Sequence, residues 1–255
     1  MKICRYEYDN EIAFGVIKDQ IISPLYNFQT FSDSIITANH GQVIKSADVK
    51  FLSPVSPSKI ICVGRNYAEH AKELGNEVPQ EPLLFLKAPS SIITDGKDIL
   101  IPEQSNQVEH EGELAVIISR DCKNLSENDN FSEFVFGYAC LNDVTARDLQ
   151  RRDVQFTRAK SFDTFCPISS FIETELDAAD IKITTKVNGV IRQEGRTSQM
   201  VFPIPFLIRY ISNQMTLKAG DVIATGTPSG VSKLNSGDIC EVEIEGIGTL
   251  QNPVK

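Results

Sequence analysis

The chain has 255 residues, of which 41% are hydrophobic and 23% charged, and its formal net charge is −9. This composition excludes disordered and fibrous proteins, and the acidic balance argues against a general binder of nucleic acid or of anionic membranes. No apolar run reaches the roughly 18 residues that cross a bilayer, no secretory leader is evident, and the six cysteines form no CxxC pair. We therefore expect a cytoplasmic protein with reduced thiols.

Short strands and turns are predicted over the first fifty residues. Residues 11–17 and 20–22 are rich in β-formers and flank Lys18-Asp19, which is typical of a β-hairpin. Two closely spaced prolines then interrupt the chain near residue 55. We expect a small N-terminal β-rich domain over residues 1–55 and a catalytic domain over residues 56–255.

The later elements follow from apolar periodicity and from turn residues. Asn188-Gly189, between two β-forming runs, predicts a type I′ hairpin turn. Asn66 would cap the first helix and Gly75 would end it. Strands are expected at residues 59–64, 83–86, 108–119, 134–141, 181–187, 190–193, 222–225, 239–244 and 248–250, and helices at 67–74, 145–153 and 205–213. Strands outnumber helices without a regular βαβ alternation, so the sequence predicts a β-rich α+β fold.

Three glutamates, Glu109, Glu111 and Glu113, alternate along a strand that continues into an aliphatic run. Strand side chains alternate between faces, so the three would share one side and His110 would lie on the other. Two carboxylates about 4 Å apart repel by roughly 4 kcal/mol at an effective dielectric near 20, and a hard divalent cation would relieve that repulsion. On spacing alone, a solvated acidic sheet edge is the commoner case.

A further carboxylate, Asp143, follows the apolar segment 134–141 and precedes a predicted helix. A carboxylate at the end of a strand is well placed to face a binding site. The same position would also suit an N-cap, so the residue type leaves both roles open.

On the first predicted helix, His70 and Glu73 are three residues apart and share a face. A glutamate in this position would hold the imidazole in one tautomer and raise its basicity, as a general base requires. An ordinary surface pair has the same spacing.

Four cations, Arg65, Lys87, Arg147 and Lys160, lie beside these motifs. Three carboxylates on a dication leave one excess negative charge, so an anionic substrate would require a nearby lysine or arginine. Each cation alone would also suit a solvated surface. Arg65 is a substrate-binding candidate on this ground.

The loop at residues 225–231 follows a predicted strand and would offer backbone N–H groups and hydroxyls to a carboxylate. A simple tight turn is the alternative. The loop lacks the GK[ST] ending of a P-loop, which disfavours nucleotide binding.

Taken together, these motifs resemble the fumarylacetoacetate hydrolase family. The matching segments, in the family's order, are 64–73 (GRNYAEHAKE), 84–87 (LFLK), 109–114 (EHEGEL), 142–150 (NDVTARDLQ), 159–163 (AKSFD), 187–189 (VNG), 192–195 (RQEG) and 220–231 (GDVIATGTPSGV). Their co-occurrence is more specific than any one of them. The likeness is to the short-chain branch, which includes acylpyruvate hydrolases, oxaloacetate decarboxylases and 2-hydroxyhepta-2,4-diene-1,7-dioate isomerases.

The resemblance implies a mixed β-roll of the fumarylacetoacetate hydrolase C-terminal type with a small N-terminal domain, usually as a homodimer. It implies that Glu111, Glu113 and Asp143 bind Mg²⁺ or Mn²⁺, with Ca²⁺ as a substitute. Glu109 matches no ligand position and is expected to be a neighbour of the site.

The resemblance also implies roles for side chains around the metal. Lys160 would lie beside it and polarise or hold the substrate. His70 and Glu73 would activate water from a segment that orders over the substrate. Arg147, Gln150 and Thr227 match substrate-pocket positions.

We therefore expect a divalent-metal-dependent hydrolase of C–C bonds in β-diketo acids of the acylpyruvate or fumarylpyruvate type, acting through a metal-bound enolate in aromatic catabolism. Decarboxylation or isomerisation of 2-oxo or 2-hydroxydienoic acids would use the same site, and a non-catalytic metal-binding member of the fold is a further alternative. The expected partners are a small 2-oxo or diketo acid and a second copy of the chain, with no nucleic acid and no membrane.

Overall fold

The structure, a computed structural model, describes residues 1–26, 28, 31–32, 37–39, 41 and 43–255. Its N-terminal strands are β1 (Lys2–Tyr8), β2 (Glu11–Lys18), β3 (Ile21–Tyr26), β4 (Thr37–Ala38), β5 (Ile44–Lys45) and β6 (Lys50–Leu52). Strands β2 and β3 form the predicted hairpin. Asp19 and Gln20 at its tip have φ angles of 49° and 64°, which are the left-handed values of a type I′ turn.

The rest of the chain is also rich in strands. These strands are β7 (Ile60–Gly64), β8 (Leu83–Lys87), β9 (Ile92–Ile93), β10 (Val108–Glu109), β11 (Gly112–Ile118), β12 (Val135–Asn142), β13 (Thr145–Ala146), β14 (Cys166–Pro167), β15 (Phe171–Glu173), β16 (Lys182–Val187), β17 (Val190–Arg196), β18 (Val222–Ala224), β19 (Ile239–Ile244) and β20 (Gly248–Pro253). The α-helices are α1 (Ala68–Glu73), α2 (Arg147–Arg152), α3 (Thr157–Lys160) and α4 (Ile204–Gln214), and the 3₁₀ turns are Ser46–Asp48, Pro89–Ser91, Phe131–Phe134 and Thr197–Gln199. In the part of the chain that is described, no helix has the length and apolar character to cross a membrane.

A twelve-stranded mixed sheet runs through the described residues in the order β4-β3-β2-β1-β15-β12-β11-β18-β7-β8, with β5 beside β3 and β6 beside β1. Its neighbours are antiparallel, except that β18 and β7 run parallel. Because β1 pairs with β15, the N-terminal strands continue directly into the sheet of the later chain. This β-rich α+β architecture confirms the predicted fold class, and the division into domains at residue 55 stays a prediction.

Strand β11 is buried on both faces, and its side chains contribute alternately to two hydrophobic cores. Leu114, Val116 and Ile118 face a core shared with α4 and with an antiparallel four-stranded sheet, β17-β16-β19-β20. Ala115 and Ile117 face a second core on the other side of the large sheet. Each fully buried aliphatic side chain contributes roughly 1.5–3 kcal/mol, so the strand that carries Glu113 and follows Glu111 is anchored on both faces.

Two expected elements differ from the structure near this strand. The strand predicted at 108–119 is interrupted between β10 and β11, at His110 and Glu111. The helix predicted at 145–153 begins only with α2, because Val108 pairs with Ala146 and draws β13 into a two-stranded ladder with β10. A local pattern does not reveal this ladder, since its partners lie far apart in sequence.

The prediction that Asn66 caps the first helix is wrong. The residue before α1 is Tyr67, and no side chain caps the helix there. Asn66 instead accepts a hydrogen bond from Phe202 N at 2.8 Å, and its amide donates to Thr225 O at 2.8 Å and to Phe202 O at 3.1 Å. These bonds fix the segment before α1 against the loop after β18.

The two parallel strands are joined at their beginnings by the fully buried carboxylate of Asp221. It accepts hydrogen bonds from Ser58 N and Oγ at 3.0 and 2.7 Å, from Lys59 N at 3.2 Å and from Lys218 N at 2.8 Å, and it pairs with the Lys59 ammonium. An Asp221→Ala variant leaves these donors unpaired. We expect a loss of about 3–5 kcal/mol in the free energy of unfolding, measured by denaturant titration.

Asp129→Ala is the matched control. Asp129 is exposed, and among the described residues its carboxylate accepts bonds from Ser126 only, so the loss of stability should be far smaller. Equal losses in the two variants would show that the Asp221 contacts do not hold the strands together.

Candidate active site

The predicted metal ligands come together because they lie at the ends of two paired strands. Gly112 of β11 is opposite Asn142 of β12. Asp143 N donates to Glu111 O at 2.8 Å, and Glu111 N donates to Asn142 Oδ1 at 2.9 Å. Glu111 and Asp143 therefore lie side by side where the strands end.

Glu111, Glu113 and Asp143 are buried, and their carboxylate oxygens lie within 4.8 Å of one another. Burial raises the pKa of Glu113 well above its ordinary value of 4.5, and the charges of Asp143 and Glu111 raise it further. The three residues thus hold more negative charge than burial tolerates. Clustered carboxylate oxygens are the donors that Mg²⁺, Mn²⁺ and Ca²⁺ prefer, so the residues fit a hard divalent cation.

Two buried lysines pair with this cluster. Lys160 Nζ lies 2.7 Å from Glu111 Oε2 and 2.7 Å from Asp143 Oδ2. Lys87 Nζ lies 2.6 Å from Asp143 Oδ1 and 3.2 Å from Val144 O. Burial opposes the charge of Lys160, but Asp143 and Glu111 outweigh burial and raise its pKa. The sequence analysis named Lys87 among the cations beside the motifs but did not place it in the site, although a lone lysine that ends the apolar strand β8 was a usable signal.

Arg147 links two glutamates that the sequence analysis placed on one strand face. Its Nε lies 2.7 Å from Glu109 Oε2, it pairs with Glu111 through the guanidinium, and its third nitrogen donates to Gln150 Oε1 at 2.6 Å. Burial alone would raise the pKa of Glu111, but Lys160 and Arg147 hold it well below its ordinary value. Glu109 therefore lies beside the cluster, outside the triad, as the resemblance implies.

The buried charges of this region nearly balance. Breaking any one such pair would leave an uncompensated charge, which costs about 3–5 kcal/mol. With all four carboxylates ionised, one excess negative charge would remain, and a divalent cation would convert it into one excess positive charge, suited to an anionic substrate. The carboxylates are those of Glu109, Glu111, Glu113 and Asp143, and the cations are Lys87, Arg147 and Lys160.

His70 and Glu73 form the predicted pair on α1. The carboxylate accepts a hydrogen bond from His70 Nδ1 at 3.3 Å. This leaves Nε2 as the free acceptor of the neutral ring. Burial lowers the pKa of His70, and Arg147 adds to that effect, while Glu111 and Glu73 oppose it. The lowered pKa favours the neutral imidazole, which is the form that a base requires.

The loop at 225–231 supplies backbone N–H groups, as the sequence predicts, but to the protein's own carboxylates. Gly226 N donates to Glu113 Oε2 at 2.7 Å. Gly230 N donates to both Glu73 oxygens, at 3.0 and 3.1 Å. The loop thus connects the carboxylate cluster with the His70–Glu73 pair.

A cavity of about 380 Å³ is lined by every site residue that the sequence analysis names. Leu83, Phe85 and Phe156 add apolar walls. The predicted site residues in this lining are Arg65, His70, Glu73, Glu111, Glu113, Asp143, Arg147, Gln150, Lys160 and Thr227.

Two arginines of the cavity wall differ from the buried cations. Among the described residues, no carboxylate oxygen lies within 4.0 Å of Arg65 or of Arg151 side-chain nitrogens. Arg151 donates only to the Gln107 amide, at 3.2 Å. Sequence reasoning named Arg65 and missed Arg151, whose position one residue after Gln150 gave no separate signal.

Comparison with known proteins agrees with the geometry. A family model described as fumarylacetoacetate (FAA) hydrolase C-terminal matches residues 59–255. The oxaloacetate tautomerase of Bacillus subtilis is 44% identical over 82% of this chain and 74% of that protein. The mitochondrial oxaloacetate tautomerase of Bos taurus is 42% identical over 77% of this chain and 91% of that protein.

A solved structure extends the match over the whole chain. The 2-hydroxyhepta-2,4-diene-1,7-dioate isomerase of Mycobacterium marinum is 38% identical and superposes with a TM-score of 0.90, over 100% of this chain and 98% of that one. Family model, relatives and structure point the same way as the motifs. The chain belongs to the fumarylacetoacetate hydrolase family.

Proposed function

We propose that the protein is a divalent-metal-dependent enzyme that transfers a proton between the enol and keto forms of oxaloacetate or a closely similar 2-oxo dicarboxylic acid. One observation carries this proposal: a neutral, buried imidazole lines the same cavity as three carboxylates that fit a divalent cation. The tautomerase and isomerase names of the relatives support proton transfer better than the expected C–C hydrolysis.

The cavity residues have complementary parts in this reaction. Held by the three carboxylates, Mg²⁺ or Mn²⁺ would act as a Lewis acid on the 2-oxo group. The Lys160 ammonium would stabilise negative charge on the substrate oxygen. His70 Nε2 would accept the proton of the enol hydroxyl and return it to C3, so that no water is consumed and the base is regenerated.

The two arginines without carboxylate partners favour a dicarboxylic substrate. Arg147 and Lys160 are engaged by glutamate and aspartate side chains, whereas Arg65 and Arg151 have no such partner among the described residues. Their positive charge in the cavity wall would recognise the carboxylate distant from the 2-oxo group. A monocarboxylic acylpyruvate would leave these charges unused.

The direct test follows the loss of enol oxaloacetate by ultraviolet absorbance, with Mg²⁺ and with EDTA, while pyruvate is measured separately. We expect metal-dependent loss of the enol without stoichiometric pyruvate. Metal-dependent pyruvate formation would instead make the protein a decarboxylase. No acceleration above the uncatalysed metal-promoted rate would refute the proposal.

Hydrolysis of a β-diketo acid is the second candidate. The observation that favours it is the His70–Glu73 contact, since a carboxylate-oriented imidazole is also suited to activating water. Acetylpyruvate tests it in a parallel assay. Stoichiometric acetate and pyruvate from acetylpyruvate, with no effect on enol oxaloacetate, would establish this reading.

Several accompanying features are part of the same proposal. Mg²⁺ or Mn²⁺ is the proposed cofactor, because both suit carboxylate oxygen ligands. The homodimer, the cytoplasmic location and a place in aromatic catabolism stay predictions.

Glu113→Gln separates stability from metal binding. A raised carboxyl pKa means that the metal-free protein loses stability as the pH rises above the ordinary glutamate value of 4.5, and glutamine removes that loss. At pH 7 we expect the metal-free variant to melt at or above the wild-type temperature. Wild type with Mn²⁺ at about 100 times its Kd should gain roughly 5–10 °C, and the variant should gain nothing.

Glu109→Gln is the control for this experiment, because Glu109 contacts Arg147 but lies outside the triad. It should retain the Mn²⁺-dependent gain. A full gain in Glu113→Gln, measured by scanning fluorimetry, would contradict the assigned ligand set.

The pH profile tests the state of His70. Activity requires the neutral ring, so kcat/KM should fall only as the pH drops through a pKa below the ordinary 6.5. Glu73 raises that pKa, so a Glu73→Gln variant should move the acid limb to lower pH. His70→Asn should lower kcat by about 100-fold or more and abolish the limb. An acid limb centred above 6.5 in the wild type would contradict the assignment.

Arg151→Ala tests recognition of the second carboxylate. Loss of a charge-assisted contact of about 1.5–3 kcal/mol should raise KM for oxaloacetate roughly 10- to 100-fold. Acetylpyruvate, which lacks the second carboxylate, should bind as before, and inhibition constants give the comparison if it does not turn over. Arg152→Ala is the control, because the neighbouring Arg152 does not line the cavity. Equal losses for both ligands would remove Arg151 from substrate selection.

A further inference from the structure

Gln193, on β17, lies outside the cavity lining and is fully buried. Its Oε1 accepts hydrogen bonds from Gly112 N at 3.0 Å and from His110 Nδ1 at 3.0 Å. Its Nε2 donates to Thr227 Oγ1 at 2.7 Å and to Pro228 O at 2.7 Å. All of its hydrogen-bonding capacity is used, and the amide orientation is fixed because a flipped amide would oppose like groups.

The amide oxygen of Gln193 holds the strand segment that carries Glu111 and Glu113. Gly112 separates Glu111 from Glu113, and a Cβ on Gly112 would lie 2.1 Å from Thr185 Oγ1, so the backbone runs here without room for a side chain. The amide oxygen of Gln193 can only accept, so His110 donates to it through Nδ1, and His110 Nε2 lies 2.8 Å from Ser232 Oγ. These contacts therefore fix the strand segment between the two proposed ligands from outside the cavity.

The amide nitrogen of Gln193 holds the loop at 225–231. Thr227 Oγ1 donates in turn to Gly112 O at 2.8 Å, which closes a ring of hydrogen bonds between Gln193, Thr227 and Gly112. Close packing supports this ring: Gly230 has a φ of 102°, and a Cβ there would lie 2.0 Å from Arg192 O. The loop consequently lies directly against β17.

We propose that Gln193 is a positioning residue that sets the carboxylate cluster and the His70–Glu73 pair at a fixed separation. The loop that it holds contacts Glu113 at Gly226 and Glu73 at Gly230. Gln193 touches neither substrate nor metal, so it acts through the backbone of Gly112 and through the loop. The proposal rests on the proposed function for its effect on turnover, but not for its effects on metal affinity and loop motion.

Gln193→Met keeps the side-chain length and removes all four hydrogen bonds. We expect the Kd for Mn²⁺ and kcat per folded molecule each to worsen about 10- to 100-fold, as for other residues that orient ligands. Amide hydrogen exchange of residues 225–231, measured by mass spectrometry, should accelerate. Gln199→Met is the control, because the side chain of Gln199, on the neighbouring turn, has a single hydrogen bond among the described residues, which it accepts from Arg196 N at 2.7 Å.

Gln193→Glu supplies the rescue. Where burial keeps its carboxyl group protonated, at about pH 6, the variant retains the acceptor of glutamine and one of its two donated hydrogen bonds. Mn²⁺ affinity and loop exchange should therefore return toward wild type, which replacement of a merely space-filling residue would not produce. Failure of this rescue, or wild-type Mn²⁺ affinity and exchange in folded Gln193→Met, would overturn the proposal.

The proposed function and the positioning role of Gln193 would be refuted by different results. If wild-type protein leaves oxaloacetate unchanged while Gln193→Met loses Mn²⁺ affinity and protection of the loop, the proposed substrate is wrong and the positioning role stands. If wild type turns over oxaloacetate and Gln193→Met matches it in kcat, affinity and exchange, the positioning role is wrong.

Discussion

Mutual repulsion among buried carboxylates is the constraint around which the site is built. Strands β11 and β12 place the buried side chains of Glu111, Glu113 and Asp143 so that their oxygens lie within 4.8 Å of one another. Isolated charges of this kind would be too costly to bury, so each must be paired or neutralised. Lys87, Lys160 and Arg147 supply much of that compensation, and a divalent cation would supply the remainder.

The same constraint separates the cations into two groups. Those that pair with the cluster maintain its geometry, while Arg65 and Arg151 line the cavity without a carboxylate partner among the described residues. Burial lowers the pKa of His70 and favours its neutral form, and in the proposed function this ring is the base that accepts and returns the proton. Charge compensation, substrate selection and proton transfer are thus assigned to different side chains of one cavity.

Local patterns in the sequence were sufficient for the hairpins and for the composition of the site. Asn188-Gly189 forms the predicted hairpin turn with φ angles of 52° and 75°, because these residues tolerate the left-handed conformation. The family motifs identified the side chains that line the cavity, since the chemistry requires those residue types in that order.

Contacts between distant segments could not be predicted in the same way. The β10–β13 ladder interrupts the expected strand and shortens the expected helix, and Asn66 bonds to Phe202 across the chain instead of capping α1. The partners of Gln193 and Lys87 are likewise distant in sequence, 81 residues away for Gly112 and 56 for Asp143, so spacing does not reveal these contacts. Long-range hydrogen bonds override local propensity where the site is assembled.

The most direct test of this account is a crystal structure of the protein soaked with Mn²⁺, with the metal located by anomalous scattering. The account predicts one strong peak with an oxygen of each of Glu111, Glu113 and Asp143 at about 2.0–2.3 Å, with the Lys160 ammonium displaced from between Glu111 and Asp143. A peak elsewhere, or no peak with Lys160 still bridging the two carboxylates, would contradict it.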